Sequence, residues 1–257
     1  MAHLADIARF LDETLDVKNV PDYSGALNGV QVENRQDITR VAVAVDASLR
    51  TIDGTIADGA QLLIVHHGLF WSGAQPITGK VYERMHRLVT HDVAVYSSHI
   101  PLDLHPTLGN NALLARRLGL DPTDMFGRYQ NVFVGVAGNA SLATAALAAE
   151  LAIVSREHGG SLVTNGILDG RQTRKWAIVT GAGASSQTLR EALDAGVDTL
   201  IVGEGPHHTG VEADELGIAV LYAGHYATET FGVMALGAEV ERQFGIPFSF
   251  VAAPTGL

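Results

Sequence analysis

The stretch that decides the reading of this chain is QLLIVHHGLFW, Gln61 to Trp71. Leu62 to Val65 are apolar, and two adjacent histidines, His66 and His67, then interrupt the run before Gly68. Four apolar residues bounded by a turn signal predict a buried strand. Groups that bind or react gather where the strands of an α/β sheet end. Neutral imidazole is the commonest side-chain metal ligand, so two imidazoles at a strand end point to a metal site. Successive side chains on a strand face opposite ways. One ion is then hard to share between both histidines while the strand continues. Two ions, or a turn beginning at His67, remove that conflict. On this fragment alone, two polar residues closing a strand explain the pattern equally well.

Working outward, Val41 to Val45 form a second apolar run ending at Asp46, and helical spacing from about Ser48 to Ala57 joins it to the histidine strand. This is a βαβ unit, which favours a parallel sheet with a right-handed crossover. Upstream, Leu4, Ile7, Leu11 and Leu15 recur at helical spacing, and Gly29 to Val32 read as a short strand. Downstream, a helix over about 80–91 leads to a strand, Val93 to Ser97, that ends in SSHIPLDLH. Pro101 and Pro106 are expected to hold that segment out of helix. A helix follows over about 110–118, and residues 121–130 are loop-like. Beyond them come a strand at 131–136, an alanine-rich helix at about 143–155 and strands near Leu162 and at 176–180. The loop GAGASS enters a helix at about 187–195. Strand 199–202 ends in GEGPHH, strand 218–222 ends in AGHYATE and opens a helix to about 243, and strand 248–251 closes the chain.

The alternation predicts an α/β fold with two interlinked α/β domains, each a central sheet flanked by helices. Expected boundaries give a discontinuous domain, 1–122 and 222–257, bearing the candidate metal ligands, and an inserted domain at 123–221.

Composition narrows the function. The chain has 257 residues, 47% of them hydrophobic, and a formal charge of −11 from 17 basic and 28 acidic residues. That balance argues against a nucleic-acid or anionic-membrane surface. Cysteine is absent, which excludes disulfides, thiolate zinc sites and a cysteine nucleophile. The opening MAHLADIARFLDETLD is an acid-studded amphipathic pattern, unlike a signal peptide. No apolar run approaches the roughly 18 residues of a membrane span. A cytoplasmic protein is expected.

Strand ends carry the chemistry. The first offers His66 and His67; the second offers Asp103, with His99 and His105 nearby; the third offers His225 and Glu229. The last pair is spaced i, i+4, so both side chains leave one helix face. Three imidazoles and two carboxylates exceed what a structural zinc, with its four closed ligands, requires. The set suits two divalent ions roughly 3.5–4 Å apart, bridged by a carboxylate and by water or hydroxide. Nitrogen and oxygen donors without sulfur fit zinc, iron, manganese or cobalt.

IVHHGLFW, HIPLDLHPTLGNN and AGHYATE resemble the signature segments of the Nif-three-like dinuclear-metal family, often labelled GTP cyclohydrolase I type 2 homologue, in its YbgI-like branch. The likeness runs nearly end to end and is weakest between about 121 and 175. It implies a Nif-three-like fold, and it implies that His66, His67, Asp103, His225 and Glu229 bind two metals per chain. It also implies a ring-shaped homohexamer and a small-molecule substrate. One departure is Pro206-His207-His208, which adds two histidines where the family pattern has other polar residues.

Two functions follow. One is a metal-dependent hydrolase of GTP cyclohydrolase type, with metal-activated water as nucleophile. The other is a non-catalytic metal-binding hexameric ring that binds a partner or ligand. The surplus ionisable groups His99, His105 and Glu204 favour chemistry, with His99 as the proton-handling group and Glu204 as a partner of a ligating imidazole. Asp46 reads as part of the start of its helix, GAGASS as helix capping by Ser185 or Ser186 or as an anion-binding turn. His3, His86, His91 and His158 are expected in solvent.

Overall fold

A computed structural model describes every residue except Ile167. The chain divides into two compact units, Met1–Leu102 with Gly232–Ala253, and Asp103–Phe231 with Pro254–Leu257. The expected boundaries at 122 and 222 fall inside the second unit. Asp103, His225 and Glu229 therefore belong to the second unit, while His66 and His67 belong to the first. The reason is sheet membership, since the strand ahead of His225 pairs into the second sheet.

In the first unit, helix α1 (Leu4–Thr14) precedes strand β1 (Gly29–Val32), and β2 (Val41–Asp46), α2 (Leu49–Ala57) and β3 (Leu62–His67) form the βαβ core. Helix α3 (Gly79–Thr90), β4 (Ala94–Ser97) and the single turn α4 (Ile100–Asp103) follow. Sheet order is β1-β4-β3-β2, closed at the far edge by β11 (Phe248–Phe250). β11, β2, β3 and β4 run parallel, and β1 pairs with β4 antiparallel. Valine, isoleucine, leucine and alanine fill β2 and β3, buried on both faces as parallel strands require. Ser48 caps α2: its hydroxyl accepts from Thr51 N–H while the Thr51 hydroxyl accepts from Ser48 N–H.

β3 runs through both histidines, so no turn begins at His67. One local expectation fails here. Pro101 does not keep its segment out of helix, because it sits in the first turn of α4, where the missing N–H has no partner to lose.

In the second unit, α5 (Asn110–Arg117) leads to β5 (Asp124–Tyr129) and β6 (Val132–Ala143), then α6 (Thr144–Glu157), β7 (Val163–Thr164) and β8 (Gln172–Val179). Helix α7 (Ser186–Asp194), β9 (Thr199–Val202), α8 (His207–Leu216), β10 (Ala219–Tyr222) and α9 (His225–Thr228) follow, and α10 (Thr230–Phe244), most of which belongs to the first unit, leads to β11. The sheet order is β5-β6-β8-β9-β10-β7, with β8, β9 and β10 parallel. The supposed loop at 121–130 is largely β5, a strand with two buried residues. It has few apolar residues to announce it, and its pairing with β6 supplies the order that its composition does not.

Candidate metal centre

In the first unit the strand order β4-β3-β2 sets three carboxyl ends side by side. They deliver Ser98 and His99 after β4, His66 and His67 at the end of β3, and Asp46 at the end of β2, with Asp46 registered opposite His67. Alternation along β3 would part the two histidines, yet their ring centroids stand 4.8 Å apart. β4 ends at Ser97 opposite Val65, so the last two residues of β3 pass beyond it. His66, His67 and His99 each offer a ring nitrogen within 4.8 Å of the other two, a spacing that could hold a metal ion.

Each ring is aimed from behind. His66, fully buried, donates its Nδ1–H to the Ser98 carbonyl at 2.9 Å. His67 donates Nδ1–H to Asp46 Oδ1 at 2.9 Å. His99 donates Nδ1–H to Asp22 Oδ1 at 2.8 Å. Carbonyl and carboxylate oxygens only accept, so in each neutral ring the lone pair is on Nε2. Burial opposes the Asp22 charge, but the hydrogen bond and charge of His99, then Asn28 and the Ile100 N–H, outweigh it and hold Asp22 below the ordinary carboxylate value. Imidazoles oriented through one nitrogen onto an oxygen are the usual backing of metal-bound histidine.

The second unit repeats the device. Parallel β8, β9 and β10 end in Thr180-Gly181, Gly203-Glu204 and Gly224-His225. His225 Nδ1 lies 2.9 Å from Glu204 Oε1, and its Nε2 lies 3.1 Å from Glu229 Oε2. The i, i+4 pairing holds although the helix is interrupted: α9 ends at Thr228 and Glu229 is its C-cap. Burial disfavours the charged His225 ring, but the hydrogen bond and charge of Glu229, then of Glu204, prevail and raise it to about 9. Without a metal the ring is thus a cation between two carboxylates, and a divalent ion would take the place of its proton. Glu229 is itself 2% exposed.

Two glycines make room for this group. A methyl group on Gly181, whose φ is +63°, would stand 2.1 Å from Glu229 Oε1, and one on Gly203 would stand 2.8 Å from His225 Cα. Asp103 accepts from Asn110 Nδ2 at 2.8 Å and from the Thr180 hydroxyl at 3.5 Å.

His105 accepts from Leu108 N–H at 3.0 Å through Nδ1, a local turn cap. His207 and His208 are exposed in the first turn of α8. Ser185 caps α7 by accepting from Thr188 N–H, which is the capping reading of GAGASS. His158 is not in solvent: it is half-buried, edge-on to Phe231 at 5.6 Å, and burial lowers its pKa. Sequence reasoning missed the backing roles of Asp22 and Asp46. Asp46 carried a signal, a carboxylate ending the strand beside the histidine strand; Asp22 carried none, since it lies 77 residues from His99 in the chain.

Imidazole nitrogens in the first unit, and imidazole nitrogen with carboxylate oxygen in the second, are backed by hydrogen bonds and partly buried, and each donor chemistry fits divalent metal ions. Each unit is an α/β unit built on a sheet with parallel strands. Residues 2–255 match the family described as Duf34/NIF3 (NGG1p interacting factor 3), and the chain belongs to that family. A protein of Deinococcus radiodurans named GTP cyclohydrolase 1 type 2 homolog is 40% identical over 261 residues, covering 98% of this chain and 94% of that one. A protein of the same name from Archaeoglobus fulgidus is 38% identical, covering 99% of this chain and all of its own. Among solved structures the fold is similar to protein ybgI, described as of unknown function, with TM-score 0.89, 30% identity and coverage of 99% and 100%. It is also similar to TTHA1606 from Thermus thermophilus, with TM-score 0.81, 33% identity and coverage of 98% and 99%.

Proposed function

We propose that the protein is a dinuclear-metal-dependent hydrolase in which His66, His67, Asp103, His225 and Glu229 hold two divalent ions. The observation that carries this is the common setting of the imidazoles: His66, His67 and His225 each have Nδ1 fixed on an oxygen, which leaves Nε2 as the ligating nitrogen. Bound ions of this kind acidify water enough to make it a nucleophile at neutral pH. The chain's own groups do the rest. Asp46 and Glu204 fix the tautomer and angle of His67 and His225. Asp22 fixes His99, whose position within reach of His66 and His67 suits it to hand a proton to a leaving group. The relatives' name, GTP cyclohydrolase 1 type 2 homolog, makes purine ring opening the first reaction to try.

The test is elemental analysis of protein purified without chelator, followed by a hydrolase substrate panel that includes GTP. Two ions per chain and turnover abolished by chelation are expected. Two ions with no turnover across the panel would favour a non-catalytic metal-binding ring. A homohexamer in the cytoplasm is part of the same proposal. Light scattering on the eluting peak measures the mass, and a monomer at micromolar concentration would reject the ring. No helix among the described residues is long and apolar enough to cross a membrane.

A further inference from the structure

We propose that Tyr23 and Trp71 form a platform on which the substrate stacks a planar heteroaromatic ring beside the histidine cluster. The two rings lie 6.3 Å apart and tilted. Trp71 stands edge-on to His99 at 4.7 Å and to His67 at 5.7 Å, and Tyr23 is 5.9 Å from His99. Both remain open to water, Trp71 at 37% and Tyr23 at 53% exposure, whereas the other tryptophan, Trp176, is fully buried. The chain thus keeps two large rings partly in solvent beside three imidazoles, where a core role would have buried them.

The platform is also rigid. A methyl group on Gly25 would stand 2.7 Å from the Trp71 carbonyl oxygen, so the two segments touch backbone to backbone. Gln31 staples them: Leu69 N–H donates to its Oε1 at 2.7 Å, while its Nε2 donates to the Ala26 and Leu27 carbonyls. Asp22, next to Tyr23, accepts from His99 Nδ1, Asn28 Nδ2 and Ile100 N–H, which ties the Tyr23 segment to the strand that supplies His99. Rings fixed in advance lose little entropy on binding. Aromatic side chains stack on any base or similar heterocycle, because each has a π-face. The substrate class is therefore a nucleobase-like heterocycle rather than an aliphatic ester. The inference rests on the metal-centre reading for the site's importance, but stacking itself requires no turnover.

The experiment titrates zinc-loaded protein with guanosine, adenosine and nicotinamide, with ribose as the ring-free control, and follows tryptophan emission. Trp176 is shielded in its core, so Trp71 reports. Emission should change with the heterocycles and stay constant with ribose. By calorimetry, Trp71→Ala should weaken guanosine binding roughly ten- to a hundredfold with zinc content retained, and Trp71→Phe should recover most of the affinity. If no heterocycle alters the emission, or if Trp71→Ala binds guanosine as wild type does, the platform is refuted. Should Trp71→Ala fail to fold, Tyr23→Ala decides on the same terms. Heterocycle binding without hydrolysis of any substrate would refute the hydrolase and leave the platform standing.

Discussion

Replacing Gly181 by alanine separates two effects that this structure superimposes. At φ +63° any side chain is strained, and here the added methyl group also lands 2.1 Å from Glu229 Oε1 and 3.4 Å from His225 Nε2. Gly196 is the control: its φ is +69°, and nothing lies within 4 Å of the added group. The left-handed conformation costs a non-glycine residue about 1–2 kcal/mol, and this applies to both variants. A contact of 2.1 Å cannot persist, so Glu229 or the strand-to-helix turn must move, which adds about 1–3 kcal/mol at Gly181 alone. The shift of the carboxylate should also disturb the pairing of Glu229 with His225. Urea unfolding of both variants gives the stability difference, and calorimetric zinc titration gives the affinity. Gly181→Ala should be the less stable and should bind zinc at least tenfold more weakly, while Gly196→Ala binds as wild type does. Equal stability and equal zinc affinity in the two variants would refute the placement of Glu229 against the turn.

His225 makes metal-free protein sensitive to alkali. Its folded-state pKa of about 9 lies above the ordinary 6.5, so its stabilising contribution is complete below about pH 6.5 and lost as pH rises through 9. Chelator-stripped protein should melt lower at pH 9.5 than at pH 6.5, and Glu229→Gln should flatten that dependence. Asp46→Ala should weaken metal binding about 10- to 100-fold by releasing the ring of His67, as read by competition with a chromophoric chelator. His99→Ala should lower turnover by a factor of about 10²–10⁴ with two ions still bound; an ion lost along with the ring would make His99 a ligand of the His66–His67 group.

The sequence by itself determined the α/β class and most of the strands, because runs such as VAVAV and LLIV are buried on both faces and need no partner to be recognised. It also singled out His66, His67, Asp103, His225 and Glu229 as candidate ligands, since histidines and carboxylates at the ends of apolar runs stand out against their surroundings. Tertiary structure decided which residues share a sheet. The strand before His225 pairs with β9, which assigns His225 to the second unit, and β5 gains its identity from pairing with β6. It also decided what stands behind each imidazole. Asp22 and Asp46 lie 77 and 21 residues from the rings they orient, whereas Glu204, already read from the sequence as the partner of a ligating imidazole, lies 2.9 Å from His225 Nδ1. Periodicity reports the local surroundings of a residue, whereas a hydrogen bond between distant residues exists only once the strand order has set their ends side by side.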